Sequence, residues 1–419
     1  MVTSPSRLRS LLPDPGPASA LTYAMLPTSI GRGLFITASV VYFTKAVGLT
    51  PVQVGTGLTI AASIALFAGV PMGHLADRIG PRAMTVAFGL AAALALTAYF
   101  LVSNWSAFLA VASLVAIAQS ASGAARGALI AGSVPPERRV RTRAYLRVVT
   151  NVGWMVGAPL AGVALYLDTD AAYMSVILAT GAVTATGALL FLRVPPVARQ
   201  PESRREPMGA VLRDRPYLAL TVLNAVLSIH YGIANVAIPL WVLERTEAPV
   251  WIISVLLVIN TVMIVTLQVR TSRGSGTVTG AARAQRYAGL LLAAACGLYA
   301  LAAGLPVWIA ASVLMLGAAV HAFGELFQAS GGWGLSFELA PDHAQGQYQG
   351  LYNTGFQVSD IVAPAVLAVA VIGLGWPGWI VMGACFAAAG LAVPPLARWA
   401  ERTRPPAPDA ATVAAAAKP

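Results

Sequence analysis

Long apolar stretches alternate with short polar ones along almost the whole chain. Mostly apolar runs cover 20–43, 54–73, 83–103, 107–131, 145–167, 171–192, 217–240, 250–269, 287–305, 307–331, 348–372 and 377–397. Runs of about 18–25 such residues are long enough for a helix to cross the hydrocarbon of a bilayer. Lipid offers no partner to backbone N–H and C=O groups, so each run has to satisfy its own by coiling. The pattern predicts an all-α integral membrane protein of twelve transmembrane helices. The Gly and Pro residues inside the runs fit this reading, because membrane helices tolerate them better than soluble ones do.

Charge orients the helices. Only 10% of the 419 residues are charged, where a soluble domain carries about 25%. Twenty-three of the 27 basic residues fall in alternate connections and the termini, whereas Lys45 and Arg245 alone fall in the others. Short loops rich in Lys and Arg stay on the cytoplasmic side. The bias therefore predicts an even number of spans, both termini in the cytoplasm, and a multi-pass protein of the plasma (inner) membrane. The basic excess marks topology in the lipid bilayer and not a nucleic-acid footprint, and no nucleic-acid motif accompanies it. The preference for Arg over Lys, with abundant Ala, fits a GC-rich bacterial genome.

The longest charged connection, RVPPVARQPESRREPMGAVLRDRP at 193–216, follows the sixth run and divides the chain into two. NVGWMVGAP (151–159) in the fifth run is echoed by NTGFQVSDIVAP (353–364) in the eleventh, six runs later, as duplication of a six-helix unit requires. The expected organisation is a flexible N-terminus (1–19), a six-helix bundle (20–192), the central loop (193–216), a pseudo-symmetric six-helix bundle (217–397) and a flexible tail (398–419).

Between the second and third runs lies GHLADRIGPR, residues 73–82. Gly73, Leu75, Ala76, Asp77, Arg78, Gly80 and Arg82 are similar to the loop signature of the major facilitator superfamily of secondary transporters. Pro81 stands where the family usually has a basic residue. The resemblance implies the family's fold and transport by alternating access, driven here by a proton gradient with no bound cofactor. It also implies a latch, in which Asp77 meets the N-terminus of the eleventh helix around Gln345–Gln349. The counterpart loop QVRTSRGSG (268–276) has no Asp. In GWMVGAPLAG the small residues Gly153, Gly157 and Gly162 beside Pro159 permit close helix packing. That stretch partly resembles the antiporter pattern of the fifth helix and points to a drug-efflux-like bacterial member. On the fourth run Gln119 holds the place of the exporters' Arg, and Arg126 follows SGAA.

Polar residues inside spans are costly and gather where function or pairing needs them. The third, sixth, ninth and twelfth runs carry no ionisable residue in their apolar cores. The others carry Arg32, Arg126, His230, His321, Glu325 and Asp360. In the resembled family the first, fourth, seventh and tenth helices line a central cavity, which matches this distribution. At about 100° per residue the polar positions form stripes: Thr28, Arg32 and Ser39; Gln119, Ser122 and Arg126; Asn224, Ser228, Tyr231 and Asn235; His321, Glu325 and Gln328; Asn353, Gln357 and Asp360. Each stripe either glues helices together or lines an aqueous cavity. His230 lies off its helix's stripe.

Arg126 and Glu325 are both displaced toward the cytoplasmic ends of their helices; the resemblance, in which the fourth and tenth helices meet at the inner gate, implies a gate pair, and independent snorkelling of both to the interface is the alternative. Glu325, Asp360 and His321 are the candidate proton carriers, because coupling needs a group whose protonation differs between access states. Arg32, near the midplane, requires either a carboxylate partner or an anionic substrate group. Two cysteines in apolar runs, four His and no HExxH or CxxC pattern suggest neither a metal site nor an enzyme. The leading expectation is a monomeric, proton-coupled exporter of a small, partly apolar molecule. A proton-coupled symporter importing a nutrient or small organic anion is the second reading, and a non-transporting membrane sensor the third.

Overall fold

The computed structural model describes residue 13 and residues 15–197 and 207–404. Most of the expected flexible N-terminus, the middle of the 193–216 connection and the end of the tail lie outside these residues. The described chain is helical. The first half contains α1 (Pro17–Val41), α2 (Pro51–Leu66), α3 (Gly69–Ile79), α4 (Pro81–Ala98), α5 (Trp105–Ser133), α6 (Pro136–Leu167) and α7 (Asp170–Leu190). The second contains α8 (Arg215–Ser228), α9 (Ile238–Arg245), α10 (Ile252–Thr271), α11 (Val278–Leu301), α12 (Val307–Glu338), α13 (Gln345–Ala368) and α14 (Trp376–Arg402).

Helix starts follow local chemistry. Thr50, Asn104, Thr169, Asp214 and Thr277 each accept a hydrogen bond from a backbone N–H three residues on. These side chains satisfy donors that a helix leaves orphaned in its first turn. Pro takes the first turn of α1, α2, α4, α6, α8 and α14, where its missing N–H costs nothing. Gly80, at φ 118°, turns the chain between α3 and α4 in a conformation that side-chain-bearing residues rarely adopt.

Among the described residues, ten helices are long and apolar enough to cross a membrane, and eleven if α2 and α3, bent by 49°, make one span. The run expected at 287–305 lies within α11, which opens on a polar stretch with Arg283 and Arg286. That stretch brings α11 short of the required hydropathy, which leaves the expected twelfth span without support from length and composition. The seventh run is broken: α8 stops at Ser228, Ile233–Ala237 coils as a π-helix, and α9 resumes at Ile238. Helix α14 continues to Arg402, into the stretch read above as tail.

Small residues set the packing. Gly153 and Gly157 on α6 lie against Ser29, Ile30 and Gly33 on α1, where any Cβ would meet backbone. Gly289 on α11 meets Gly390 on α14 in the same way. Gly162, expected to join this packing, faces open space, because it lies off the face on which Ala161 and Ala164 still pack against Leu34 and Ala38 of α1. Pro159 is accommodated inside α6 at an exposed position.

The two ends of the molecule differ. At the arginine-rich end, which carries Arg78, Arg138, Arg139 and Arg273, apolar clusters are shared between the halves. Ala144 and Tyr145 of α6 pack with Val269 of α10 and Trp333 of α12, and Phe337 of α12 joins Leu129, Ile130 and Val134. At the far end each cluster belongs to one half. Tyr42, Phe43, Tyr99 and Phe108 form one, and Trp241, Tyr299 and Trp379 belong to the other. There Lys45 holds Asp168 at 2.7 Å, tying the end of α1 to the α6–α7 turn. That hydrogen bond, with a second from Tyr173, keeps the Asp168 carboxyl below its usual range. The halves are thus joined at one end and part toward the other.

A packing test follows from the glycines. Gly157→Val should destabilise the purified protein by about 1–3 kcal/mol, because the added atoms meet α1 backbone. Gly162→Val, facing open space, should leave the thermal midpoint unchanged within error. Equal midpoints for the two variants would show that the α1–α6 contact does not depend on a bare Gly157.

Candidate functional site

The loop at 73–82 meets α13 directly. Gly73 touches the carbonyl of Gly346, a closeness that no side chain would permit. This brings the Asp77 carboxylate to the start of α13, where it accepts hydrogen bonds from the N–H groups of Gly346 at 2.8 Å and Gln347 at 3.1 Å. Unsatisfied N–H groups and the helix dipole both favour an anion at that position. Arg82 donates to the carbonyl of Val194 at 3.1 Å, holding α4 to the end of α7. Arg78 is exposed. Gln347 also reaches His74, at 3.0 Å.

A second junction lies deeper. Glu325 on α12 is 6% exposed and forms an ion pair with Arg147 of α6, across the boundary between halves. Its other oxygen accepts from Asn260 of α10 at 2.8 Å. Arg147 also donates to the Tyr231 hydroxyl at 3.0 Å and lies over its ring. Tyr231 in turn donates to Gln328 at 3.2 Å. The Gln328 amide donates to Asn224 at 2.9 Å and Ser228 at 3.1 Å, and Gln285 reaches the same Asn224 oxygen at 3.0 Å. One chain of hydrogen bonds therefore runs from α6 of the first half through α8, α11 and α12 of the second.

This geometry corrects the expected gate pair. Glu325 is held by Arg147 and Asn260, and Arg126 is not its partner. Arg126 lines a cavity in the first half, together with Arg32, Gln119 and Ser122. Helix α5 turns Arg126 into its own half, whereas Arg147 on α6 reaches across. Asn235 also departs from its stripe. Beyond the break in the seventh run it is exposed, and its amide donates to the carbonyl of Tyr231 at 3.3 Å.

His321 meets a residue that the stripes left out. Its Nε2 is 3.1 Å from Nδ1 of the fully buried His230, and its Nδ1 is 3.3 Å from the Tyr299 hydroxyl. His230, His321 and Glu325 present ligand-type atoms within 4.8 Å of one another. The sequence showed no metal spacing here, since these residues come from separate helices. Arg147 already occupies Glu325, so a metal ion would have to displace a guanidinium to complete its ligand set.

At mid-depth the halves face each other more loosely. Gln357 donates to Ser120 at 3.1 Å, and Thr354 donates to the carbonyl of Leu66, beside the α2–α3 bend, at 3.4 Å. Arg32, Gln119 and Asp360 are exposed there. Arg32 lies over the ring of Trp154, 5.5 Å from its centroid, and feels the charge of Asp360. Among the described residues, neither Arg32 nor Arg126 has a carboxylate oxygen within 4.0 Å.

Arg147, Asn260 and Gln285 escaped the sequence reading, and His230 was noted there without a partner. Arg147 looked like one more basic residue at a helix start, and Gln285 and Asn260 carry no charge to draw attention. His230 departed from a stripe computed on an unbroken helix, and the break after Ser228 is what turns it inward.

A helical, two-part, multi-pass architecture joined at one end, with charge buried between the parts, defines a carrier-type membrane protein. The sequence profile of the Major Facilitator Superfamily matches residues 21–364, and the chain belongs to that superfamily. Its fold is shared by several solved structures. The human organic anion transporter MFSD10 (TETRAN) is 13% identical, with a TM-score of 0.68 over 90% of this chain and 98% of that one. A bacterial homologue of the iron transporter ferroportin, in an outward-facing state, is 14% identical, with a TM-score of 0.72 over 92% and 99%. The transporter FucP in its outward conformation is 13% identical, with a TM-score of 0.67 over 92% and 98%. A search of curated proteins found no match to the sequence. The chain is a transporter of this superfamily's type.

The Asp77 contact makes a measurable claim about conformation. Asp77→Asn removes the charge that faces the α13 N-terminus, a change of about 1–3 kcal/mol for a buried charged acceptor. Spin labels on Arg78→Cys and Arg273→Cys, one on each half, should then report a longer mean distance than in the unsubstituted background. An unchanged distance distribution would mean that the contact does not hold the arginine-rich ends together.

Proposed function

We propose that the chain is a secondary transporter that exports a small, partly apolar molecule across the plasma membrane in exchange for protons. The arginine-rich end is the cytoplasmic one, by the inside-positive bias of the loops. On that orientation the conformation is outward-facing. Asp77 latches the inner gate to α13, and the cavity is reached from outside.

The observation that carries the reading is the buried ion pair between Arg147 and Glu325, which joins the two halves at the closed end. A buried carboxylate needs its cation as much as the cation needs the carboxylate. Protonation from the outside neutralises Glu325, frees Arg147 and loosens the inner gate. Once the carrier faces inward, the proton leaves to the cytoplasm and the carboxylate is again available to Arg147. His321, one helical turn from Glu325 and bonded to His230, supplies a titratable neighbour on the outer side. Asp360 is the other candidate carrier, and its exposure in the central opening suits a role in water more than in a gate. Gln119, Gln357, Asn235, Tyr231 and the Asn224–Gln328 network line or back the path of the cargo. The protein works as a monomer, each copy holding both halves of the gate.

The same parts run in the opposite sense give a proton-coupled symporter, and one structural neighbour, FucP of E. coli, is a fucose:proton symporter. Partial agreement of GWMVGAPLAG with the antiporter pattern favours exchange.

Reconstitution into proteoliposomes tests the reading. An imposed pH gradient should drive counterflow of candidate substrates by the wild type, and Glu325→Gln should reduce gradient-driven flux to background while downhill exchange persists. Gradient-driven flux at the wild-type rate in Glu325→Gln would remove Glu325 from the coupling step. Flux in the direction of the protons would replace exchange with symport.

A further inference from the structure

Residues of α1, α2, α4, α5, α6 and α7 line a partly open cavity of about 320 Å³ in the first half, where Arg32, Gln119, Ile36 and Leu58 remain exposed. Its wall is largely aliphatic and aromatic, with Phe35, Leu58, Leu96 and Val115 among the lining residues. A volume in this range accommodates a small organic molecule. Two guanidinium groups, Arg32 and Arg126, project into this apolar space, and Gln119 stands between them in chain order.

We propose that this cavity is the cargo site and that it selects an amphipathic anion, whose carboxylate or similar group lies between Arg32 and Arg126 while its apolar body fills the wall. The inference rests on the transport reading above and names the chemical class of what is carried.

Charge balance supplies the argument. Arg32 and Arg126 are close enough to repel one another. Arg143, which donates to Gln349 at 3.3 Å and lies over the Phe337 ring, adds a third cation that interacts with Arg126. Against these stands Asp360, which acts on Arg32 from beyond ion-pair distance. Arg147 contributes nothing to the excess, being matched by Glu325. Two like charges directed into one apolar cavity are unfavourable unless an anion joins them. A planar guanidinium is suited to grip a carboxylate through paired N–H groups.

The arrangement also disfavours other cargo. A cation would meet two positive groups beside a largely apolar wall, where repulsion is screened less than in bulk water. A neutral molecule would leave both guanidinium groups without a partner. Trp154 places its ring 5.5 Å from the Arg32 guanidinium carbon, a cation–π contact that leaves the charge without a carboxylate.

Calorimetric titration of the full chain in lipid nanodiscs tests this with matched probes: ω-phenylalkyl carboxylates from two to six carbons, their primary amides, and inorganic phosphate. The best acid should bind at least about tenfold tighter than its amide, a difference of about 1.4 kcal/mol. Arg32→Gln with Arg126→Gln should erase that preference, and Arg32→Lys with Arg126→Lys should retain part of it. Equal affinity for acid and amide, or no acid binding up to 10 mM probe on the order of the weakest cargo sites, would overturn the proposal. Phosphate binding as tightly as the best acid would overturn its apolar half. If the glutamine variant does not fold, the acid–amide comparison in the wild type and the lysine variant decides. Acid binding without gradient-driven flux would instead sink the transport reading and leave the anion site standing.

Discussion

A carboxylate buried in a membrane protein has to be neutralised, and this molecule solves the problem across its own midline. Glu325 sits in α12 with Asn260 on one oxygen and Arg147, from the other half, on the second. Breaking a buried pair by removing one partner costs about 3–5 kcal/mol, because the remaining charge is stranded. The halves at the arginine-rich end are therefore held by a term comparable with a sizeable part of a domain's net stability. Asp77 repeats the same logic at the surface, with two backbone N–H groups and a helix dipole in place of a cation. Both contacts join the halves, and both depend on a carboxylate remaining charged. The apolar clusters beneath them are shared between halves, so parting this end would expose Tyr145 and Trp333 as well. At the far end, among the described residues, the Tyr42–Phe108 and Trp241–Trp379 clusters each close on their own half and would not be opened by parting the halves.

Much of the architecture was legible because the bilayer imposes a coarse rule. Length and hydropathy locate helices whatever their neighbours. The approach of the 73–82 loop to residues 345–349 could be read for a similar reason, as Gly73 and Gly80 serve backbone geometry and Asp77 has no purpose in a plain turn. The limit of the method appears at α11. Its polar opening lies in register with the arginine-rich end, so a helix that packs between α12 and α14 is still too polar in its first turns to be counted by hydropathy.

Polar partnerships were legible only where both partners lay on one helix face. Asn224, Ser228 and Tyr231 do converge, and what they converge on is Gln328 from another stripe. The Arg126–Glu325 pairing failed because depth along a helix says nothing of azimuth: α5 turns Arg126 into its own half, and Arg147 takes the place across the boundary. His230 was misplaced by a different error. A stripe assumes 100° per residue, and the chain from Ile229 to Ala237 abandons that period for turns and a π-helix. Such bulges recur where a helix has to present a side chain off its regular face. In this case the departure puts the His230 ring against His321.

The two halves finish with unequal electrostatics, and that asymmetry has a mechanical consequence. In the second half the buried carboxylates have partners: Glu325 takes Arg147 and Asn260, and Asp214 caps α8 while taking Arg404 at 2.7 Å and Tyr348 at 2.8 Å. The first half instead directs Arg32 and Arg126 into an apolar cavity without a carboxylate of its own. A half whose carboxylates are already partnered has no unanswered charge of its own to attract a ligand. A half with unmatched cations lowers its energy whenever a negative group approaches, from Asp360, from Glu325 or from a bound molecule. Rocking one half against the other changes which of these is near. The same excess positive charge can thereby hold an anion in one access state and be answered by the opposing half's carboxylates in the other, so that binding and gate position compete for one electrostatic resource.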